Sequence, residues 1–212
     1  MNTTIFGGYK GCSQSHPIQT LNSLIAGSGE VTTYKDILDP KSPPYRENVD
    51  HMKQFILSKE SDCFLGYSLS CLVFNIALHE LRSDEILDPK DPPFQKVIMI
   101  NPAFAPRTGI YYPKLKKFFS TLTSDIEVDL SDASIEKPIC FIATDDIYVN
   151  FSEILDLREK MRLDDFSEPI SWIYEAPKTG HFNEFSDMNA VNQTINRVIQ
   201  ILSIDMSKAT IA

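Results

Sequence analysis

The sequence predicts an α/β fold, a three-layer sandwich with a mostly parallel sheet of about six strands and helices on both faces. Two observations predict it. Short apolar runs alternate with helical stretches along the 212 residues, the pattern of successive βα units. The strand runs are continuously apolar, as in Val97-Ile98-Met99-Ile100. Such runs mark strands buried on both faces, which is the signature of a parallel sheet. No internal repeat is present, and a chain of this length suits one domain spanning 1–212.

Taken in order, Thr3-Thr4-Ile5-Phe6 reads as a short strand ending in Gly7-Gly8. Ile18 to Ala26 reads as a helix, with Ile18, Leu21, Leu24 and Ile25 at helical spacing and Gly27 and Gly29 as its stop. Val31 to Tyr34 is the next strand, and a proline-rich loop, Pro40 to Pro44, follows. Glu47 to Ser58 reads as a helix with an apolar face of Val49, Met52, Phe55, Ile56 and Leu57. Asp62 to Tyr67 reads as a buried strand, and Leu69 to Leu81 as a helix apolar on most sides, packed deep against the sheet. Strands over 96–101, Pro138 to Thr144 and Ile170 to Tyr174 complete the sheet, with helices at Ser152 to Met161 and Met188 to Ile204. The segment Pro102 to Lys137 is too long for a simple crossover. Its aromatic and basic piece, Tyr111 to Phe119, precedes an acidic one, and both a small lid and an ordinary crossover with a solvated loop fit it.

Composition narrows the function. Hydrophobic residues are 42% and charged residues 23%, ordinary for a globular protein, and the net charge is −9. An acidic surface repels phosphate backbones, so nucleic acid is not an expected partner. No apolar run approaches the roughly 20 residues of a membrane span, and the first residues lack a signal-peptide pattern. Cys12, Cys63, Cys71 and Cys140 form no CxxC pair. They read as reduced thiols of a cytoplasmic protein rather than a disulfide framework. His16, His51, His79 and His181 lack metal-ligand spacing, so neither a metal nor any other cofactor is expected. The run Gly7 to Gly11 lacks the spacing of a dinucleotide-binding loop.

In parallel sheets of this kind ligands bind beyond the carboxyl ends of the strands. Gly66-Tyr67-Ser68-Leu69-Ser70 lies at such an end, between a buried strand and an apolar helix. A serine on a tight strand-to-helix turn needs small residues two positions before and after it, because the two backbones approach closely there. Gly66 is small, and Ser70 stands in place of the usual second glycine. Ser68 is therefore the candidate nucleophile, although a serine here also suits a helix N-cap. A serine hydroxyl attacks only when an imidazole takes its proton, and the imidazole needs a carboxylate to orient it. Asp145 and Asp146 follow one strand, and His181 follows the last strand in Gly180-His181-Phe182. Spacing leaves both acids open. An oxyanion hole would use the backbone N–H of Leu69 and one from the glycine-rich loop Gly7-Gly8-Tyr9-Lys10.

The order Ser, Asp, His on alternating strands and helices resembles the α/β-hydrolase superfamily, and in particular its small single-domain members: the YqiA-like bacterial esterases and the retinoblastoma-binding-protein type of serine hydrolase. The residues that carry the resemblance are Phe6-Gly7-Gly8-Tyr9, the Gly66 to Ser70 turn, Asn101-Pro102-Ala103, Thr144 to Val149 and Gly180-His181-Phe182. They span nearly the whole chain. In the family the catalytic Asp is followed by two residues and then Val or Leu. Asp146-Ile147-Tyr148-Val149 fits that register, so the resemblance implies Asp146 as the acid. It also implies the Tyr9 N–H as the second oxyanion donor. Gly7 stands where many relatives carry a histidine, and Ser70 for glycine is a second departure. The two antiparallel strands that open larger members, and a large cap, are expected to be absent.

The expectation is a serine hydrolase acting on a small-molecule carboxylic ester or thioester, with Ser68, His181 and Asp146 as its triad. The same triad also serves acyl transfer and lysophospholipid hydrolysis. The two departures keep open a different class, a non-catalytic binding module on the same fold. The sequence assigns neither substrate-binding residues nor an oligomeric state.

Overall fold

A computed structural model describes residues 2–8, 19–21, 23, 31–35, 45–88, 93–103, 139–147, 149, 172–181 and 186–203. Its elements run β1 (Asn2–Phe6), β2 (Val31–Lys35), α1 (Tyr45–Ser58), β3 (Cys63–Tyr67), α2 (Leu69–Ser83), β4 (Lys96–Ile100), β5 (Ile139–Ile142), β6 (Trp172–Glu175) and α3 (Met188–Ser203). The six strands form one open sheet in the order β2-β1-β3-β4-β5-β6. All five pairings are parallel, so the expected mostly parallel sheet is wholly parallel among the described residues.

Burial on both faces explains the continuous apolar runs. Successive side chains of a strand point to opposite faces. Phe6, Phe64, Val97, Met99, Cys140 and Ile142 therefore face one core, shared with α1 and α2. Ile5, Cys63, Leu65, Tyr67, Ile98, Ile100 and Phe141 face the other, closed by Val191, Ile195 and Val198 of α3. The first core is strongly aromatic. Phe64 stacks on Phe74 with ring centroids 4.1 Å apart, and Phe6 meets Phe55 edge-on at 4.7 Å.

One core assignment is corrected. Leu57 is 45% exposed and does not belong to the apolar face of α1. At 3.6 residues per turn, Val49, Met52 and Ile56 fall on one stripe. Leu57 lies one residue beyond Ile56 and points away from it. Two polar ties hold the helices to the sheet and to each other. Lys96 opens β4 in a buried position, and its ammonium donates to Ile201 O at 3.0 Å and Leu202 O at 2.7 Å, at the end of α3. Between α1 and α2, Glu80 accepts from Arg46 at 2.6 Å and from Lys53 at 2.8 Å.

The topology also fixes where a site can form. From β1 the chain moves to one side for β2 and then crosses to the other side for β3. The strand order thus reverses around β1, and the crevice beyond the carboxyl ends of β1 and β3 is where such sheets bind ligands. Gly7-Gly8 leaves β1 at this point and Ser68 leaves β3. The expected helix at 152–161, most of 102–137, Cys12 and His16 lie outside the described residues. Of the expected helix at 18–26, residues 19–21 and 23 are described and helical.

Candidate active site

Ser68 occupies a one-residue turn between β3 and α2, with φ 55° and ψ −120°. A non-glycine residue at positive φ is strained and persists only where its surroundings hold it. Three backbone bonds hold this one. The Ser68 N–H donates to Ile100 O at 3.0 Å, and Ser68 O accepts from Cys71 N–H at 3.2 Å and Ala103 N–H at 3.1 Å. The Ser68 side chain makes no capping bond to α2, so the N-cap alternative is not what the turn uses.

Small residues surround the turn for steric reasons. A Cβ on Gly66 would stand 2.6 Å from the Phe64 ring and 2.9 Å from Cys71 Sγ. A Cβ on Gly8 would stand 3.0 Å from the Ser68 Cβ. The loop leaving β1 therefore lies against the candidate nucleophile. Ser70 is completely buried. Its hydroxyl accepts from Tyr67 N–H at 2.8 Å and has Tyr67 O at 2.9 Å and Phe6 O at 3.0 Å as acceptors. Serine in place of glycine thus adds hydrogen bonds between the turn and β1.

Of the other two predicted residues, His181 meets Ser68 and Asp146 meets His181. His181 Nε2 lies 3.2 Å from Ser68 Oγ, and His181 Nδ1 lies 2.7 Å from Asp146 Oδ2. A carboxylate only accepts, so the proton of a neutral imidazole sits on Nδ1 and Nε2 presents its lone pair to the serine. The Asp146 side chain is 2% exposed and that of His181 14%. Asp146 Oδ1 accepts from Val149 N–H at 3.1 Å, which fixes the carboxylate plane. Of the two adjacent acids, Asp146 reaches the imidazole. Asp145 is exposed, and its Oδ1 accepts from Gly180 N–H at 3.2 Å.

Leu69 opens α2, where helix geometry leaves N–H groups without intrahelical acceptors, as an oxyanion donor requires. Tyr9 lies outside the described residues. His51 sits on α1 and His79 in the C-terminal half of α2, where His79 Nε2 is 3.4 Å from Ser83 Oγ. Cys71 is only three residues beyond Ser68, but burial, with Cys140 nearby, pushes its thiol well above the usual range. Burial likewise pushes Cys140 up to about 12. Thiols held protonated are poor nucleophiles, so neither competes with Ser68 as the candidate nucleophile of the turn. Among the described residues no three His, Cys, Asp or Glu side chains come together as metal ligands. No described helix is long and apolar enough to cross a membrane.

Two further residues touch the histidine loop, and the sequence reading gave neither a part in the site's chemistry. Asn101, just beyond β4, donates through Nδ2 to Gly180 O at 2.9 Å. Tyr67 donates through its hydroxyl to His181 O. An Asn ending a buried strand directly before Pro102 is the one sequence signal that marks such a position.

No protein-family model matches the chain, and no curated protein matches it significantly. Solved structures do. The chain superposes on the ydeN gene product of B. subtilis with a TM-score of 0.63 at 18% identity, covering 93% of this chain and 98% of that one. Est1E from Butyrivibrio proteoclasticus gives a TM-score of 0.66 at 11% identity, covering 94% and 86%. The Pyrococcus furiosus esterase Pf2001 gives 0.61 at 15% identity, covering 95% and 82%. What this chain shares with them is the α/β-hydrolase fold.

Proposed function

We propose that this chain of α/β-hydrolase fold is a serine hydrolase that cleaves a small-molecule carboxylic ester or thioester through an acyl-enzyme. The observation that carries the reading is the continuous relay from Ser68 Oγ through the His181 imidazole to Asp146, at 3.2 Å and 2.7 Å. Neighbours whose names describe them as esterases support the same class.

In the proposed reaction Ser68 Oγ attacks the acyl carbonyl carbon while His181 Nε2 takes the hydroxyl proton. Asp146 stays ionised and stabilises the imidazolium that forms. The tetrahedral oxyanion accepts from the Leu69 N–H and, by resemblance, from the Tyr9 N–H. One such donor typically contributes about 3 kcal/mol to the transition state. The intermediate collapses, the bond to the leaving oxygen or sulfur breaks, and His181 returns the proton to it. Water then attacks the acyl carbon, His181 takes its proton, and Ser68 leaves as the restored hydroxyl with release of the carboxylic acid. No cofactor enters these steps.

The 3.2 Å approach of His181 to Ser68 favours catalysis over the binding-module reading, since a pure binding module has no need of an aligned relay. The test is hydrolysis of p-nitrophenyl esters of graded chain length by the parent protein, Ser68→Ala and His181→Ala. The expected result is turnover by the parent alone, with the loss in each variant on the order of 10⁴-fold or more. Equal rates in all three would overturn the proposal.

A further inference from the structure

We infer that Asn101 is a positioning residue that sets the histidine loop over Ser68, a role that rests on the serine-hydrolase reading. Three segments must meet for the relay to form: the turn after β3, the acid loop after β5 and the loop after β6. Asn101 sits between the last two. Its Oδ1 accepts from Ala143 N–H at 2.8 Å, and its Nδ2 donates to Gly180 O at 2.9 Å. One amide thus joins the end of the acid strand to the residue before His181.

The amide orientation follows from chemistry. Ala143 N–H only donates, so it meets the oxygen, and Gly180 O only accepts, so it meets the nitrogen. Asn101 is 2% exposed, and its bond to Ala143 is buried, where water competes little. The backbone also selects this residue. Asn101 has φ 44°, and its N–H donates to Phe141 O at 2.8 Å. Asn is among the few side-chain-bearing residues that tolerate this left-handed conformation. The turn at Asn101 carries the backbone off β4 while the side chain spans to both loops.

The Gly180–His181 stretch is held on other sides too. Asp145 Oδ1 accepts from Gly180 N–H at 3.2 Å, and the Tyr67 hydroxyl donates to His181 O. The Tyr67 and His181 rings lie 5.4 Å apart. Asp145 belongs to the acid loop itself, whereas Asn101 reaches Ala143 and Gly180 from a third segment, the turn after β4. Asn101 fixes Asp146 and His181 relative to each other, and a shift of about 1 Å in such a pair costs on the order of 100-fold in rate.

Two variants separate positioning from a merely structural turn. Asn101→Gly accepts the positive φ but removes both side-chain bonds. Asn101→Asp keeps the shape and the acceptor for Ala143 N–H but cannot donate to Gly180 O. With p-nitrophenyl acetate, kcat is expected to fall on the order of 10- to 100-fold in both variants, with KM within about twofold of the parent. Amide hydrogen exchange over 176–181 is expected to rise in both, with α2 protected as in the parent. Parent-like kcat in Asn101→Asp, or a loss that falls on KM, would make Asn101 a turn residue only. Absence of esterase activity in the parent would remove the hydrolase reading. The exchange data would still decide whether Asn101 holds the loop, because unchanged exchange over 176–181 overturns the inference by itself.

Discussion

The buried Ser70 hydroxyl lies 2.8 Å from the Tyr67 backbone nitrogen and accepts its N–H across the turn that presents Ser68. The same hydroxyl has the Tyr67 and Phe6 carbonyls within 3.0 Å. The residue that departs from the usual small-residue pattern is therefore part of what holds the turn. Ser70→Ala keeps the size nearly constant but withdraws the hydroxyl from three backbone groups. It is expected to lower unfolding free energy by about 1–3 kcal/mol in urea titrations. A variant as stable as the parent would show that the hydroxyl contributes nothing to the turn.

Gly8 and Ser68 approach closely enough that a Cβ on Gly8 fits only if a neighbour gives by a few tenths of an ångström. An added Cβ would lie 3.0 Å from the Ser68 Cβ and 3.1 Å from the Tyr67 ring. Gly8→Ala is expected to shift Gly8 and Ser68 apart by a few tenths of an ångström, and with that to disturb the proposed oxyanion donor after β1. The expected outcome is a fall in kcat of about 10-fold or more with the fold intact by circular dichroism. Full turnover in Gly8→Ala would separate this loop from the chemistry.

Lys96 illustrates a stabilising role with no part in the proposed reaction. Its ammonium sits at the carboxyl end of α3, where the helix dipole is negative and the last carbonyls lack intrahelical donors. Lys96→Met retains most of the buried stem and removes the charge. A loss of about 1–3 kcal/mol is expected from the urea midpoint, with kcat and KM unchanged. A drop in kcat without a drop in stability would contradict this division of labour.

Much of this was legible in the sequence, and the reasons are physical. Burial on both faces writes continuous apolar strands, so the parallel sheet follows from runs such as Val97 to Ile100. A serine between a buried strand and an apolar helix, with Gly66 before it, is legible because the turn excludes side chains. The choice between Asp145 and Asp146 was not legible from spacing. Adjacent residues differ only in direction, and direction depends on how Val149 N–H and the histidine loop receive each carboxylate. Leu57 was misplaced because an apolar residue next to Ile56 extends the run without extending the stripe. Asn101 was legible only as part of the Asn101-Pro102-Ala103 resemblance, not as a link between loops, because its two partners, Ala143 and Gly180, lie 42 and 79 residues away. Lys96 escaped notice for the same reason, its acceptors lying 105 and 106 residues away.

Acid should loosen the contact between α1 and α2. Burial alone would raise the Glu80 carboxyl, but hydrogen bonds and charge from Lys53 and Arg46 outweigh it and hold the carboxyl below its usual value of 4.5. A carboxyl with a depressed folded-state pKa adds stability above its unfolded value and loses it as pH falls through the folded one. The stability gap between the parent and Glu80→Gln is therefore expected to be full at pH 7 and to shrink as pH falls below about 4.5. A gap that widened in acid would reverse the sign and exclude this pairing as its source.

The most direct measurement is covalent capture of Ser68. A fluorophosphonate reacts with a serine hydroxyl that a neighbouring imidazole activates, and intact-mass and peptide analysis then locate the adduct. Stoichiometric labelling is predicted on the peptide that carries Ser68, with none in Ser68→Ala and strong slowing in His181→Ala. An unlabelled parent protein, or labelling that persists in Ser68→Ala, would contradict the assignment of Ser68 as the nucleophile.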